Sequence, residues 1–229
     1  MNKPKPANLA HSIRTRLLTI AKAQGEEFQT TLTRYCNERI LYRLSQSEHA
    51  EGFILKGASL FVIWTGKIHR PTQDLDFLGR GSTDPTHLTA VFRSICEQPV
   101  EDDGLQFLTD TIVPTNAREE EQYKGIRITL TAMLGNASIP MRIDIGFGDI
   151  VIPSPVKIEL PTVLAMPHPH LFVYPRETVV AEKFERKVSV GSRFSHPSQP
   201  QTTTPPADAG RLLWRSRRAS TSRGRRGVP

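Results

Sequence analysis

Asp74-Leu75-Asp76 sets two carboxylates two residues apart, and Asp144 in Arg142-Ile143-Asp144-Ile145-Gly146 alternates with apolar neighbours in the same way. Residues i and i+2 of a strand project from one face, so Asp74 and Asp76 would share a face while Leu75 turns to the core. A third acid on a neighbouring strand, for which Asp144 is the natural candidate, completes a set of hard oxygen ligands. Such a set suits Mg²⁺, which takes a few carboxylates together with substrate phosphates. The chemistry it serves is phosphoryl or nucleotidyl transfer. Upstream, Lys56-Gly57-Ala58-Ser59 supplies a glycine turn and a hydroxyl at a predicted helix start, where backbone amides and the helix dipole favour an anion. Taken singly, an Asp-x-Asp also describes a solvated strand face, and a lone glycine also describes a plain helix start. The turn and the acids are separated by enough chain for one helix and a return strand, which lets them face one cleft.

The elements that must hold these residues follow from periodicity. Leu9, Ile13, Leu17, Leu18 and Ala21 fall at helical intervals, and Phe28, Leu32, Tyr35, Cys36, Ile40 and Leu41 repeat the pattern after a break at Gly25. Phe53-Ile54-Leu55 reads as a short strand, Leu60 to Trp64 as a helix, and Asp74 to Leu78 as the acid-bearing strand. A helix from Asp84 to Cys96, capped near Thr83 or Asp84, precedes strands at Leu105 to Val113, Tyr123 to Leu134 and Ile139 to Phe147. Five prolines between Pro153 and Pro169 predict an extended connector, and Pro175-Arg176-Glu177-Thr178 opens a further helix. The expected fold class is α+β, with N-terminal helices before a mixed sheet.

Charge is unevenly placed. The net charge of +7 is a property of the end of the chain: from Arg186 onward ten Lys or Arg face one acid, Asp208, whereas residues 1–185 carry 20 basic and 22 acidic side chains. The part bearing the motifs is therefore slightly acidic, which argues against a basic nucleic-acid-binding domain there. Cys36 and Cys96 stand far apart on helices without metal-ligand spacing, and the expectation is two reduced, half-buried thiols. No apolar run approaches a membrane span and no leader pattern opens the chain, so a cytoplasmic protein with no membrane partner is expected.

Four separated segments, in order, resemble the AbiEii/AbiGii nucleotidyltransferase toxins of bacterial type IV toxin-antitoxin and phage abortive-infection systems. They are Leu55-Lys56-Gly57-Ala58-Ser59-Leu60-Phe61; His69-Arg70-Pro71-Thr72-Gln73-Asp74-Leu75-Asp76-Phe77-Leu78-Gly79; Arg142 to Asp149; and Tyr174-Pro175-Arg176-Glu177-Thr178 through Glu185. The resemblance runs from about residue 10 to 190. It implies a DNA-polymerase-β-like nucleotidyltransferase domain over 1–190, with N-terminal helices at 8–46 and a core at 52–190. Asp74, Asp76 and Asp144 match its catalytic, metal-binding acids, for Mg²⁺ or Mn²⁺. Lys56, Gly57 and Ser59 match its triphosphate turn, Ala58 standing where many relatives have a second glycine. Lys183 matches a helix lysine at the nucleotide phosphates, and Arg70 and Thr72 line the loop before the acids. Lys183 and Arg70 equally fit solvated surface charges. The implied substrate is an NTP, the implied acceptor a tRNA or other RNA hydroxyl, and the implied partner a cognate antitoxin.

Past the Glu182-Lys183 helix the sequence departs from the family. Gly191-Ser192-Arg193 leads into Ser, Thr, Pro, Gly and Arg, without the Lys-Asp-aromatic-x-Asp motif that relatives carry. Such composition predicts a disordered basic tail over 191–229 and fits an out-of-frame, truncated C-terminus. His168-Pro169-His170, Gly146-Phe147-Gly148 and Glu119-Glu120-Glu121 read as ordinary loop histidines, an incomplete dinucleotide fingerprint and a solvated turn.

Overall fold

The computed structural model describes residues 6–65, 74–116 and 125–181. Arg70, Thr72, Lys183, the Glu119-Glu120-Glu121 run and the tail at 191–229 lie outside them. The architecture is α+β, with helices first and a mixed seven-stranded sheet after them.

Helix α1 (Pro6–Gln24) buries Ala10, Ile13, Leu17 and Ala21 along one stripe. Leu18, which the spacing assigned to that stripe, lies beside it and is 37% exposed. The helix stops at Gly25, whose φ of +64° is the left-handed cap that glycine adopts without strain. Helix α2 (Phe28–Gln46) is enclosed on several sides, packing on α1 and on strands of the sheet. Its buried residues include Arg39 and Arg43, which periodicity gave no reason to place inside. Both converge on Asp103: Arg43 donates to both carboxylate oxygens at 2.6 and 3.1 Å, and Arg39 Nε donates at 3.1 Å. Tyr35 donates its hydroxyl to the Asp103 carbonyl at 2.7 Å, so one loop acid ties down two turns of helix.

Beside this network, Glu38 accepts a hydrogen bond from the Val163 amide at 2.8 Å. Burial pushes its carboxyl up from 4.5 to about 7, against the smaller opposing pull of that bond and of Arg34 and Arg39. Between pH 4.5 and 7 the folded chain therefore holds a proton that the unfolded chain has released. This contribution to stability is complete below about pH 4.5 and is lost as pH rises through about 7, a change on the order of 1–3 kcal/mol. Glu38→Gln keeps an acceptor for Val163 and should flatten that part of the profile. Urea midpoints at pH 5 and pH 8 would test it; an equal pH difference in both proteins would remove Glu38 as the cause.

The sheet runs β3-β4-β5-β2-β1-β7-β6, with β1 Phe53–Lys56, β2 Asp74–Gly79, β3 Leu105–Asn116, β4 Ile126–Leu134, β5 Ala137–Phe147, β6 Val156–Glu159 and β7 His170–Val173. Strands β3, β4 and β5 form an antiparallel meander, β2 lies parallel to β5, and β1 is antiparallel to β2 and parallel to β7. The short α3 (Ser59–Thr65) joins the β1 turn toward β2. Helix α4 (Pro85–Glu97) starts where the sequence indicated: Asp84 Oδ2 accepts from the His87 amide at 2.8 Å, with Pro85 in the first turn.

Alternation gives the sheet one apolar and one polar face over β4, β5 and β2. Ile126, Ile128, Leu130, Ala132, Leu134, Ile139, Met141, Ile143, Ile145, Leu75 and Phe77 are all buried on the first. There Phe53 on β1 meets Phe77 on β2 and Phe92 on α4 edge-to-face, with centroids 5.8 and 5.4 Å apart. The connector expected between Pro153 and Pro169 is not wholly irregular: it contains β6 and leads into β7. His170 belongs to β7 and pairs with Glu159 of β6 at 3.1 Å, while His168 Nδ1 lies 2.9 Å from the Leu160 carbonyl. Cys36 and Cys96 are free and buried, more so than expected, and burial raises both thiols, Cys96 to about 12. Among the described residues no helix is long and apolar enough to cross a membrane.

Candidate active site

Register assembles the site on the polar face. Lys56 of β1 stands opposite Asp76 of β2, Asp76 opposite Asp144 of β5, and Asp144 opposite Arg127 of β4. Two register positions along, and so on the same face, Asp74 stands opposite Arg142. Paired residues point the same way, so four strands deliver Lys56, Asp74, Asp76, Asp144, Arg142 and Arg127 to one surface. All are partly buried except Arg142, which is exposed.

The Lys56-Gly57 turn is pressed against these acids. Gly57 has φ of +79°, and a Cβ added there would sit 2.8 Å from both Cβ and Cγ of Asp76 and closer still to its Oδ2. Only glycine meets both conditions, the positive φ and the contact with the carboxylate. Gly57→Ala should therefore displace the Asp76 carboxylate and cost about 1–3 kcal/mol through backbone strain. Thermal melting together with a transfer assay checks this; a variant as stable and active as the parent would show that the turn can rearrange. Ser59 begins α3 with its hydroxyl donating to the Lys56 carbonyl at 3.2 Å. Lys56 reaches across to Asp149, Nζ to Oδ2 2.7 Å, and Tyr174 donates to the same oxygen at 3.2 Å. Gly146 leaves room for that reach, since a Cβ there would stand 3.3 Å from the ammonium.

The acids face cations. Arg127 grips Asp144 with two parallel bonds, Nε to Oδ1 at 2.7 Å and an Nη to Oδ2 at 2.8 Å, the fork geometry of a strong guanidinium–carboxylate pair. The hydrogen bond to Asp144 raises the Arg127 pKa, and the charges of Asp144, Asp74 and Asp76 add to it. Arg142 approaches Asp74 at 3.4 Å in a more exposed pair. Pairs this open to solvent contribute only about 1 kcal/mol or less and can exchange partners.

The donor set fits a divalent cation in part. Asp74 and Asp76 offer oxygen on one strand face, as a Mg²⁺ completed by phosphate oxygens requires. Both oxygens of Asp144 accept from Arg127, and among the described residues no three acids, histidines or cysteines are grouped closely enough to hold a metal ion. The three carboxylates read from the sequence share a surface, but the third is held by a guanidinium. Beyond the acids, Leu78, Ile54, Phe147, Val151 and Pro155 help line a cavity of about 550 Å³ that reaches Asp149.

Sequence reasoning passed over Arg127, Arg142, Asp149 and Tyr174. Arg142 stands two residues before Asp144 and shared its alternation, a signal that could have placed it on the same face. Arg127 alternates with buried isoleucines in β4, but nothing local says which residue it faces.

The strands bearing these acids and the lysine–glycine turn fall within a stretch that matches a nucleotidyltransferase family. The chain belongs to the AbiEii nucleotidyltransferase toxins of type IV toxin-antitoxin systems, whose family model matches residues 39–193. Among solved structures it is similar to JHP933 from Helicobacter pylori (13% identity, TM-score 0.38, 63% of this chain and 51% of that one). It is also similar to a candidate nucleotidyltransferase from H. pylori (13% identity, TM-score 0.37, 63% and 53%). The chain spans about half the length of these two structures. No curated protein matches.

Proposed function

We propose that this protein transfers a nucleoside monophosphate from an NTP to an acceptor hydroxyl on RNA, a tRNA end being the acceptor the family suggests. The observation that carries the reading is the register placing Lys56, Asp76 and Asp144 side by side on β1, β2 and β5, with Asp74 two residues from Asp76. Asp74 and Asp76 would hold Mg²⁺ or Mn²⁺, which when bound neutralises phosphate charge and polarises the α-phosphate. The Gly57 turn, the Ser59 hydroxyl and Lys56 would orient the triphosphate, and Arg70, Thr72 and Lys183 would add phosphate contacts. Asp144 would align the acceptor hydroxyl and take its proton as the oxygen bonds to the α-phosphorus and pyrophosphate leaves. As members of the family act in toxin-antitoxin pairs, a cognate antitoxin and a cytoplasmic site of action complete the proposal.

Purified protein with each labelled NTP, Mg²⁺ and total RNA, beside an Asp74→Ala control, tests it. Label should enter RNA with at least one nucleotide and only with the parent protein. The Arg127–Asp144 grip favours a second reading, a catalytically impaired homologue that still engages an antitoxin. Absence of transfer with all four nucleotides would support that reading over the first.

A further inference from the structure

We infer that Arg127 is a positioning residue that latches Asp144 away from divalent metal until a triphosphate draws the guanidinium off. The inference rests on the reading of Asp74 and Asp76 as the metal pair. Three observations carry it. Arg127 and Asp144 are direct cross-strand partners, so the pair is built into the β4–β5 register and is no chance meeting of surface side chains. Both carboxylate oxygens are engaged, at 2.7 and 2.8 Å, so a cation approaching Asp144 must share those oxygens with, and be repelled by, the guanidinium. The pair is also open to solvent, with side-chain exposures of 35% for Arg127 and 25% for Asp144, so a polyanion can reach the guanidinium without unfolding anything.

Exchange is chemically balanced because phosphate and carboxylate compete for the same bidentate fork. Arg127 feels Asp74 and Asp76 as well as Asp144, so together with Arg142 and Lys56 it supplies positive charge beside the acids. A triphosphate arriving with its own metal brings that charge and accepts the guanidinium, and Asp144 is released as the acid set is completed. The consequence is ordered assembly: metal alone binds weakly, and metal with polyphosphate binds well.

The test uses full-length protein and needs no turnover. Mn²⁺ binding is followed by electron paramagnetic resonance for the parent, Arg127→Gln, Asp144→Asn and the double variant, with and without inorganic tripolyphosphate. Thermal melting confirms that each variant is folded, and Arg127→Lys serves as a conservative replacement if Arg127→Gln is not. The latch predicts that Arg127→Gln binds Mn²⁺ about tenfold or more tightly than the parent without tripolyphosphate, a gain of about 1.4 kcal/mol. It also predicts that the double variant loses this gain and that Arg127→Gln binds tripolyphosphate more weakly. Equal Mn²⁺ affinity in parent and Arg127→Gln would overturn the latch while leaving the Asp74–Asp76 pair standing. No Mn²⁺ binding by any variant, even with tripolyphosphate, would overturn the metal pair and the latch together. A gain that persists in the double variant would show that Arg127 acts by general charge and not through Asp144, which also overturns the latch.

Discussion

Asp76→Asn is expected to lower nucleotidyl transfer by about 1000-fold or more, a loss of roughly 4 kcal/mol of transition-state stabilisation, without unfolding the protein. Asp76 stands in register between Lys56 and Asp144, and its carboxylate packs against the Gly57 turn. Asparagine has nearly the same shape, so the contact with Gly57 survives, but the anionic oxygen is gone. A metal-ligating role and a solvated-face role therefore separate cleanly. Single-turnover transfer of labelled nucleotide measures the first, and the unfolding free energy from denaturant titration should change by no more than about 0.5 kcal/mol. Activity within tenfold of the parent would remove Asp76 from the reaction and leave it an ordinary strand carboxylate.

The largest stability change is expected at a residue remote from the chemistry. Asp103→Ala should destabilise the fold by about 3–5 kcal/mol, because it leaves Arg39 and Arg43 buried beside one another with no counter-ion. Asp103 is 2% exposed and accepts three guanidinium bonds. Since a domain of this size holds only about 5–15 kcal/mol in total, the variant should unfold at much lower urea. Tyr35 bonds to the Asp103 carbonyl and that tie persists, so the loss is attributable to the carboxylate. Replacing both arginines together with methionine should recover much of it, as the buried charge then disappears with its partner. A midpoint unchanged in Asp103→Ala would show that water reaches the guanidiniums.

Where the pattern is local, the fold was legible. Helical spacing located α1 and α2, Asp84-Pro85 located the start of α4, and alternation located β2 and β5 with the acids on the outward side. What escaped is set by partners distant in sequence. Strands β6 and β7 have four residues each, and β6, at the edge of the sheet, shows no alternation, its side chains being mostly exposed; the nearby prolines hid it. Arg39 and Arg43 gave no local signal of burial because their counter-ion lies some sixty residues away. Arg127 was silent for the same reason: a cation on a half-solvated strand face signals nothing until the register shows it opposite Asp144. The acids of the candidate site were readable because carboxylates alternating with apolar residues are conspicuous. What holds one of them was not, because that is a fact about pairing and not about either strand.

The parallel pairing of β2 with β5 also bears on synthesis and folding. Asp76 and Asp144 become neighbours only after α4, β3 and β4 have been made and the meander has closed back on β2. Bringing together segments so far apart is entropically slow and late. A one-residue slip would turn Asp74 and Asp76 into the apolar core and put Leu75 outside, a state too costly to populate. A nascent chain therefore carries its first two acids for the time needed to translate about seventy more residues before the third can join them, at the usual pace several seconds or more. This topology withholds the complete acid set until β5 has been synthesised.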